Sequence, residues 1–203
     1  MRIINHVVGF AGLCGLVASL ASGTASADTL YRVPPKAIND VLNAPPLPVF
    51  VIGPSGNAFA IATPLRFPPV ADLARPMLRL AGLRIDPQTN GIHHAYAYTT
   101  LSIKISSEGT ASRLVPSAAG AHVVTLPPDA RITAFEFSPD GKRYAFANAT
   151  SHGTDLYVAA SFTAAPVRIA GIELNGIFGN PISWMPDGTH IMVRALARQV
   201  AAP

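Results

Sequence analysis

The chain has 203 residues, a formal net charge of +4 and a sequence pI of about 9.6. Its basic residues are scattered, with only Lys142 and Arg143 adjacent, which argues against the cationic stripe of a protein built to hold nucleic acid or an anionic membrane surface. Charged residues make up 13%, against 16 glycines and 19 prolines, a balance that argues against a helical bundle and for an all-β chain of short strands and many turns.

In chain order, Arg2 precedes an apolar run from Val7 to Leu20, and small residues follow up to Ala25-Ser26-Ala27. This is the pattern of a secretory signal peptide over residues 1–27, with cleavage expected between Ala27 and Asp28. The run is shorter than the roughly 20 residues a membrane span needs, so an exported protein, periplasmic or extracellular and without membrane attachment after cleavage, is expected. Cys14 is the only cysteine and lies inside the run, preceded by Leu13 where lipid attachment would want a small residue. Residues 28–203 therefore form neither a disulfide nor a thiolate site, and their fold must rest on packing.

Residues 28–46 read as a strap: Pro34-Pro35 opens a short helix with Ile38, Val41 and Leu42 on one face, and Pro45-Pro46 ends it. From residue 47 the chain repeats itself. Phe135-Glu136-Phe137-Ser138-Pro139-Asp140-Gly141 and Ile182-Ser183-Trp184-Met185-Pro186-Asp187-Gly188 stand 47 residues apart, each followed by a second apolar strand. Proline presets the first turn position, aspartate suits the next, and glycine takes the positive φ that closes the turn, so Pro139, Asp140, Gly141, Pro186, Asp187 and Gly188 read as turn residues of two β-hairpins. A weaker copy runs from Val49 through Gly53-Pro54-Ser55-Gly56-Asn57 to Ile61.

Repeats of this length with about four strands each are the pattern of a β-propeller. The expected architecture is a partial propeller over 47–203, with a first blade at about 47–116, a second at 132–170 and part of a third at 181–203. The second blade is complete, with strands at 132–137, 143–148, 155–160 and 166–170 and a turn at 151–154. The first takes its outer strands from 98–105 and 111–115, joined at 107–110. Between them the insertion at 64–97 holds one or two helical turns near Pro68-Pro69-Val70-Ala71-Asp72-Leu73-Ala74, then an alternating strand over 78–85. Two blades and part of a third fall short of the four to eight at which propellers close.

The segments Pro34-Pro35-Lys36-Ala37-Ile38-Asn39-Asp40-Val41-Leu42-Asn43-Ala44-Pro45-Pro46 and Leu78-Arg79-Leu80-Ala81-Gly82-Leu83-Arg84-Ile85-Asp86-Pro87-Gln88-Thr89-Asn90-Gly91, followed by the Ser-Pro-Asp-Gly blade, resemble the start of secreted bacterial serine peptidases of the prolyl oligopeptidase family, nearest the glutamyl endopeptidase-like branch. The resemblance implies a propeller that covers an α/β-hydrolase domain carrying a Ser-Asp-His triad. No Gly-x-Ser-x-Gly nucleophile elbow occurs in this sequence, and Gly53-Pro54-Ser55-Gly56 lacks the spacing, so no catalytic residue carries over. The chain is expected to be a non-catalytic fragment. Its partners would be the C-terminal α/β-hydrolase domain of the parent, absent here, and the parent's peptide substrate. The competing reading is a periplasmic binding module resembling the propeller of the Tol-Pal system.

No cofactor or metal site is expected. Adjacent side chains such as His93 and His94 point to opposite faces of an extended chain, and His152 and His190 have no partnering pattern. Phe135, Phe137 and Trp184 fall on inner strands, where aromatics fill the space between blades.

Overall fold

The computed structural model describes residues 33–105 and 120–197, which fall into one unit ending at Ala44 and another beginning at Pro45. Ala27, Asp28, Cys14 and the expected turn and strand at 107–115 lie outside the described residues. In the first unit a helix, α1 (Lys36–Leu42), starts on the carbonyl of Pro35, which accepts from the backbone N–H of Ile38 and Asn39. Asn43 closes it by donating its side-chain amide to the Asn39 carbonyl at 2.9 Å, and Lys36 pairs with Asp40 one turn on. Proline at both borders thus sets the length of the helix.

The second unit is antiparallel β structure. Its first strands, β1 (Val49–Ile52) and β2 (Ala58–Pro64), form a hairpin, and β6 (Tyr98–Ile105) pairs with β2 along its whole length. Between them the chain forms a helical turn, α2 (Val70–Leu73), and a separate small sheet of β3 (Leu78–Leu80), β4 (Leu83–Asp86) and β5 (Gly91–Ile92). A short β7 (His122–Val123) adds to β6. Then β8 (Ile132–Phe137), β9 (Tyr144–Thr150), β10 (Gly153–Ala159) and β11 (Val167–Glu173) pair in sequence order as a meander. The last hairpin is β12 (Ile182–Trp184) with β13 (Ile191–Val193).

Strands β1-β2-β6 and β8-β9-β10-β11 belong to one open sheet, joined through the single pair Tyr98↔Ile132. At that narrow joint the two halves form different layers. Ala58, Ala60, Ala62, Leu101 and Ile103 from the first pack against Phe137, Tyr144 and Phe146 from the second. The opposite face of the second half, made of Ala134, Ala145, Ala147 and Leu156, packs under Ile182 and Trp184 of the last hairpin.

The alternation along β9 explains the layering. Tyr144 and Phe146 point to one face, Ala145 and Ala147 to the other, and all four are buried. The alanines leave the depth that Trp184 fills, with its indole N–H reaching the Glu136 carbonyl at 3.4 Å. A strand buried on both faces reads as a continuous apolar run, as Tyr144-Ala145-Phe146-Ala147 in the first part of β9 do. Truncating Tyr144 or Phe146 to alanine would cost about 3–5 kcal/mol, a large fraction of a domain's stability.

The single strand expected over 78–85 is corrected to a hairpin. Ala81 and Gly82 take φ of 47° and 83°, and Leu80 pairs with Leu83 and Leu78 with Ile85. Two consecutive positive φ angles make the two-residue turn that suits strand twist. Because the reversal keeps apolar residues on alternate positions, periodicity alone does not reveal it. The turn expected at 151–154 is tighter than its four residues, since Thr150 and Gly153 already pair across it.

Candidate functional site

Three hairpin turns share one geometry. In the first, Gly53 donates its N–H to the Ala58 carbonyl at 2.8 Å, and Gly56 donates to the Gly53 carbonyl at 2.9 Å. Ser138 to Arg143 and Gly141 to Ser138 repeat the pair at 3.0 and 2.9 Å, and Met185 to His190 and Gly188 to Met185 do so again at 2.9 and 3.0 Å. The glycines that close the turns have φ of 69°, 63° and 65° at Gly56, Gly141 and Gly188. Only glycine takes this region without strain.

The turns also touch in series. A β-carbon on Gly141 would lie 3.2 Å from Ser55 Cβ, and one on Gly188 would lie 3.1 Å from Asp140 Cγ. Residue three of one turn thus meets the glycine, residue four, of the next. Arg143 adds a bond from its guanidinium to the Gly188 carbonyl at 2.8 Å.

The aspartates hold the turns from within. Asp140 accepts from Ser138 Oγ at 2.5 Å and from the Lys142 N–H at 3.1 Å, and the serine bond in particular draws its carboxyl below the usual range. Asp187 accepts from the N–H groups of Thr189 and His190 at 2.9 and 3.0 Å and faces His190 Nδ1 at 2.5 Å, so its carboxyl lies well below the usual range. Pro139 and Pro186 occupy the outer, exposed corners.

A cleft of about 730 Å³ opens between the 65–97 segment and the ends of β8 and β9. Its wall is a charged clasp. Asp72 on α2 accepts from Arg75 at 2.7 Å and, through its other oxygen, from Arg131 beside β8, while Arg75 extends to Asp86 at 3.3 Å. Burial raises the Asp72 carboxyl, but the bonds from Arg75 and Arg131 together outweigh it, and the net shift is downward. Asn148 accepts from the Arg131 backbone N–H at 2.8 Å, Thr154 Oγ1 donates to the Thr89 carbonyl at 2.7 Å, and Asn90 donates to Glu173 at 2.8 Å. The 65–97 segment is therefore pinned to the β8–β11 half at several points.

His93 and His94 line the same cleft, and here the expectation from an extended chain fails. His94 has φ of 62°, and the two rings meet edge to face with centroids 3.9 Å apart. Nε2 of buried His93 lies 3.1 Å from the Arg75 carbonyl, which requires that this nitrogen carry the proton, and Nδ1 is buried without a protein partner. Desolvation, with His93 alongside, lowers the pKa of His94. Among the described residues no group of three or more His, Cys, Asp or Glu side chains has a geometry that could hold a metal ion.

His152 and His190 are exposed, and Phe137 and Trp184 are buried. Sequence reasoning missed the Asp72–Arg131 clasp, whose partners stand 59 residues apart with no local pattern to join them. Among the described residues no helix is long and apolar enough to cross a membrane.

What the fold and the cleft define is an all-β chain with open antiparallel sheets and a charged, partly buried clasp. No family model matches it. Two curated relatives do: the chain is 35% identical over 169 residues, 78% of its length, to a probable chloroplastic glutamyl endopeptidase of Oryza sativa subsp. japonica. It is 32% identical over 173 residues, 82% of its length, to a protein of the same description from Arabidopsis thaliana. The chain is thus peptidase-related in sequence, and it spans only 17% and 15% of the length of these relatives.

Proposed function

We propose that this chain is a non-catalytic, propeller-type region of an exported serine peptidase related to the glutamyl endopeptidases. The match that runs along about four-fifths of the chain, to proteins several times longer that carry that description, is the observation behind the proposal. The repeated turns and the two apolar layers support the propeller reading, because stacked blades bury both faces of each inner sheet. In this reading the repeats over 47–203 are blades, the 28–46 strap precedes them, and residues 1–27 are removed on export. The parent would hydrolyse peptides in an α/β-hydrolase domain, and the propeller would filter access to it.

The test has two arms. Purified protein should remain unlabelled by a fluorophosphonate serine probe and cleave no glutamyl peptide, and stoichiometric labelling would overturn the non-catalytic assignment. Intact mass of the exported protein should correspond to a chain starting at Asp28, and a mass that retains Cys14 would overturn the leader assignment.

A further inference from the structure

We infer that His93 and His94 form a two-imidazole site for a divalent transition-metal ion, Cu2+ foremost, in the wall of the cleft. His93 supplies the first nitrogen. Its Nε2 lies 3.1 Å from the Arg75 carbonyl, an oxygen that can only accept, so Nε2 carries the proton and the lone pair of the neutral ring sits on Nδ1. Nδ1 is buried without a hydrogen-bond partner, in a residue that is only 5% exposed. A ring N–H given to a backbone carbonyl, with the other nitrogen left bare, is the arrangement that orients a metal-binding histidine. Arg75 is itself held, by Asp72 at 2.7 Å and Asp86 at 3.3 Å, so the carbonyl that orients the ring belongs to an anchored residue.

His94 supplies the second. On an extended strand adjacent histidines diverge, and such pairs seldom share an ion. At His94 φ is 62°, and its ring comes round to meet that of His93 edge to face, with centroids 3.9 Å apart. Two nitrogens about 2.0–2.1 Å from one ion hold their rings somewhat further apart than this, so the exposed ring of His94 turns outward while the buried ring keeps its place. The outward turn opens the space between the rings to the cleft that both line. Asp72 and Asp86 are engaged by Arg75 and Arg131, and among the described residues no third His, Cys, Asp or Glu completes the set. Solvent water therefore takes the other positions, and the site is exchangeable rather than structural. Imidazole suits Zn2+, Ni2+ and Cu2+, and for a given donor set Cu2+ binds most tightly. The hard cations Ca2+ and Mg2+ want oxygen ligands and should not compete.

The inference rests on the two rings and not on the peptidase reading, so serine-probe labelling leaves it untouched. It is tested on the purified, untagged protein with CuSO4 alone. Calorimetry should show one Cu2+ bound per chain ahead of any weaker sites, and electron paramagnetic resonance of that species should show coupling to two imidazole nitrogens. Excess Mg2+ should not displace the ion. His94→Ala removes an exposed ligand without touching the core, and should weaken Cu2+ by about tenfold or more and reduce the coupling to one imidazole. His93→Gln, checked by circular dichroism for an unchanged fold, should do the same from the buried side. Replacing the remaining histidines, His6, His122, His152 and His190, together by alanine should leave the first equivalent in place. No binding at one equivalent, an affinity that His94→Ala leaves unchanged, or an ion lost with the other histidines would overturn the inference.

Discussion

The carboxylate of Asp140 lies against the α-carbon of Gly188, so close that a β-carbon there would stand 3.1 Å from Asp140 Cγ. Two constraints therefore coincide at this glycine: a φ of 65° and a neighbour belonging to the previous repeat. Gly141 carries the same pair of constraints with Ser55, whereas Gly82, with φ of 83°, has open space beyond it.

The three glycines should separate in stability measurements. Gly82→Ala bears the backbone cost alone, about 1 kcal/mol. Gly141→Ala and Gly188→Ala must also shift the Ser55 or Asp140 side chain of the neighbouring turn and should lose roughly 2 kcal/mol, and Gly141→Val more again. Urea denaturation of the four variants checks this, and equal losses at all sites would mean that the turns do not support one another.

The hairpins were legible because their turn chemistry is local: proline, a short polar residue and glycine at fixed offsets leave the backbone few choices. Strand pairs β8-β9 and β12-β13 follow from that pattern. Layering was legible in part, since apolar residues on both faces of β9 announce burial on both sides but do not say which strands supply it. The Ala81-Gly82 turn stayed hidden because its reversal preserves alternation. The His93–His94 contact was hidden because it depends on a positive φ at a residue that seldom takes one. Asp72 and Arg131 meet only after the 65–97 segment folds back on β8, a relation no local spacing encodes.

Asp72 and Arg131 should show energetic coupling. Both are partly buried, and Asp72 also holds Arg75, so a double-mutant cycle of Asp72→Asn and Arg131→Met should give a coupling of about 1 kcal/mol. The carboxyl of Asp72 is shifted downward in the folded state, so its contribution is present above the unfolded pKa and is lost as pH falls through the folded one. The native protein should therefore lose more stability than Asp72→Asn on acidification. Additive effects with parallel pH profiles would show the clasp to be energetically idle.

Tyr144 should resist ionisation. It is fully buried in the first core, and desolvation pushes its phenol up to about 12. Its hydroxyl makes one long bond, 3.4 Å, to the Ala164 carbonyl. Tyr144→Phe should cost about 1 kcal/mol or less, and Tyr144→Ala about 3–5 kcal/mol, because packing rather than the hydroxyl carries the residue's weight. Ultraviolet titration of native protein against Tyr144→Phe should show one tyrosine that ionises last, and a normal titration would place it in contact with solvent.

Glu136 should be a site where removing a charge stabilises the protein. It sits on β8 beneath the last hairpin, where its backbone carbonyl takes the Trp184 indole N–H and its carboxylate accepts from the Trp184 backbone, while Oε2 is buried without a hydrogen-bond partner. Burial raises its carboxyl above the ordinary value, and the Trp184 bond only partly opposes this. A carboxyl whose folded-state pKa exceeds its unfolded one favours the folded chain at low pH, where it is neutral in both states. That advantage is lost as pH rises through the folded value, so at neutral pH the ionised group is a cost. Glu136→Gln keeps the shape and an acceptor for the Trp184 N–H while removing the charge, and should gain up to about 1 kcal/mol at pH 7. Below the unfolded carboxylate pKa the difference should vanish, since both side chains are then uncharged. Melting curves of the two proteins across this range test the sign directly: a gain that grows toward neutral pH is expected, and a Gln variant less stable than the native protein at pH 7 would mean that the ionised carboxylate holds the last hairpin in place.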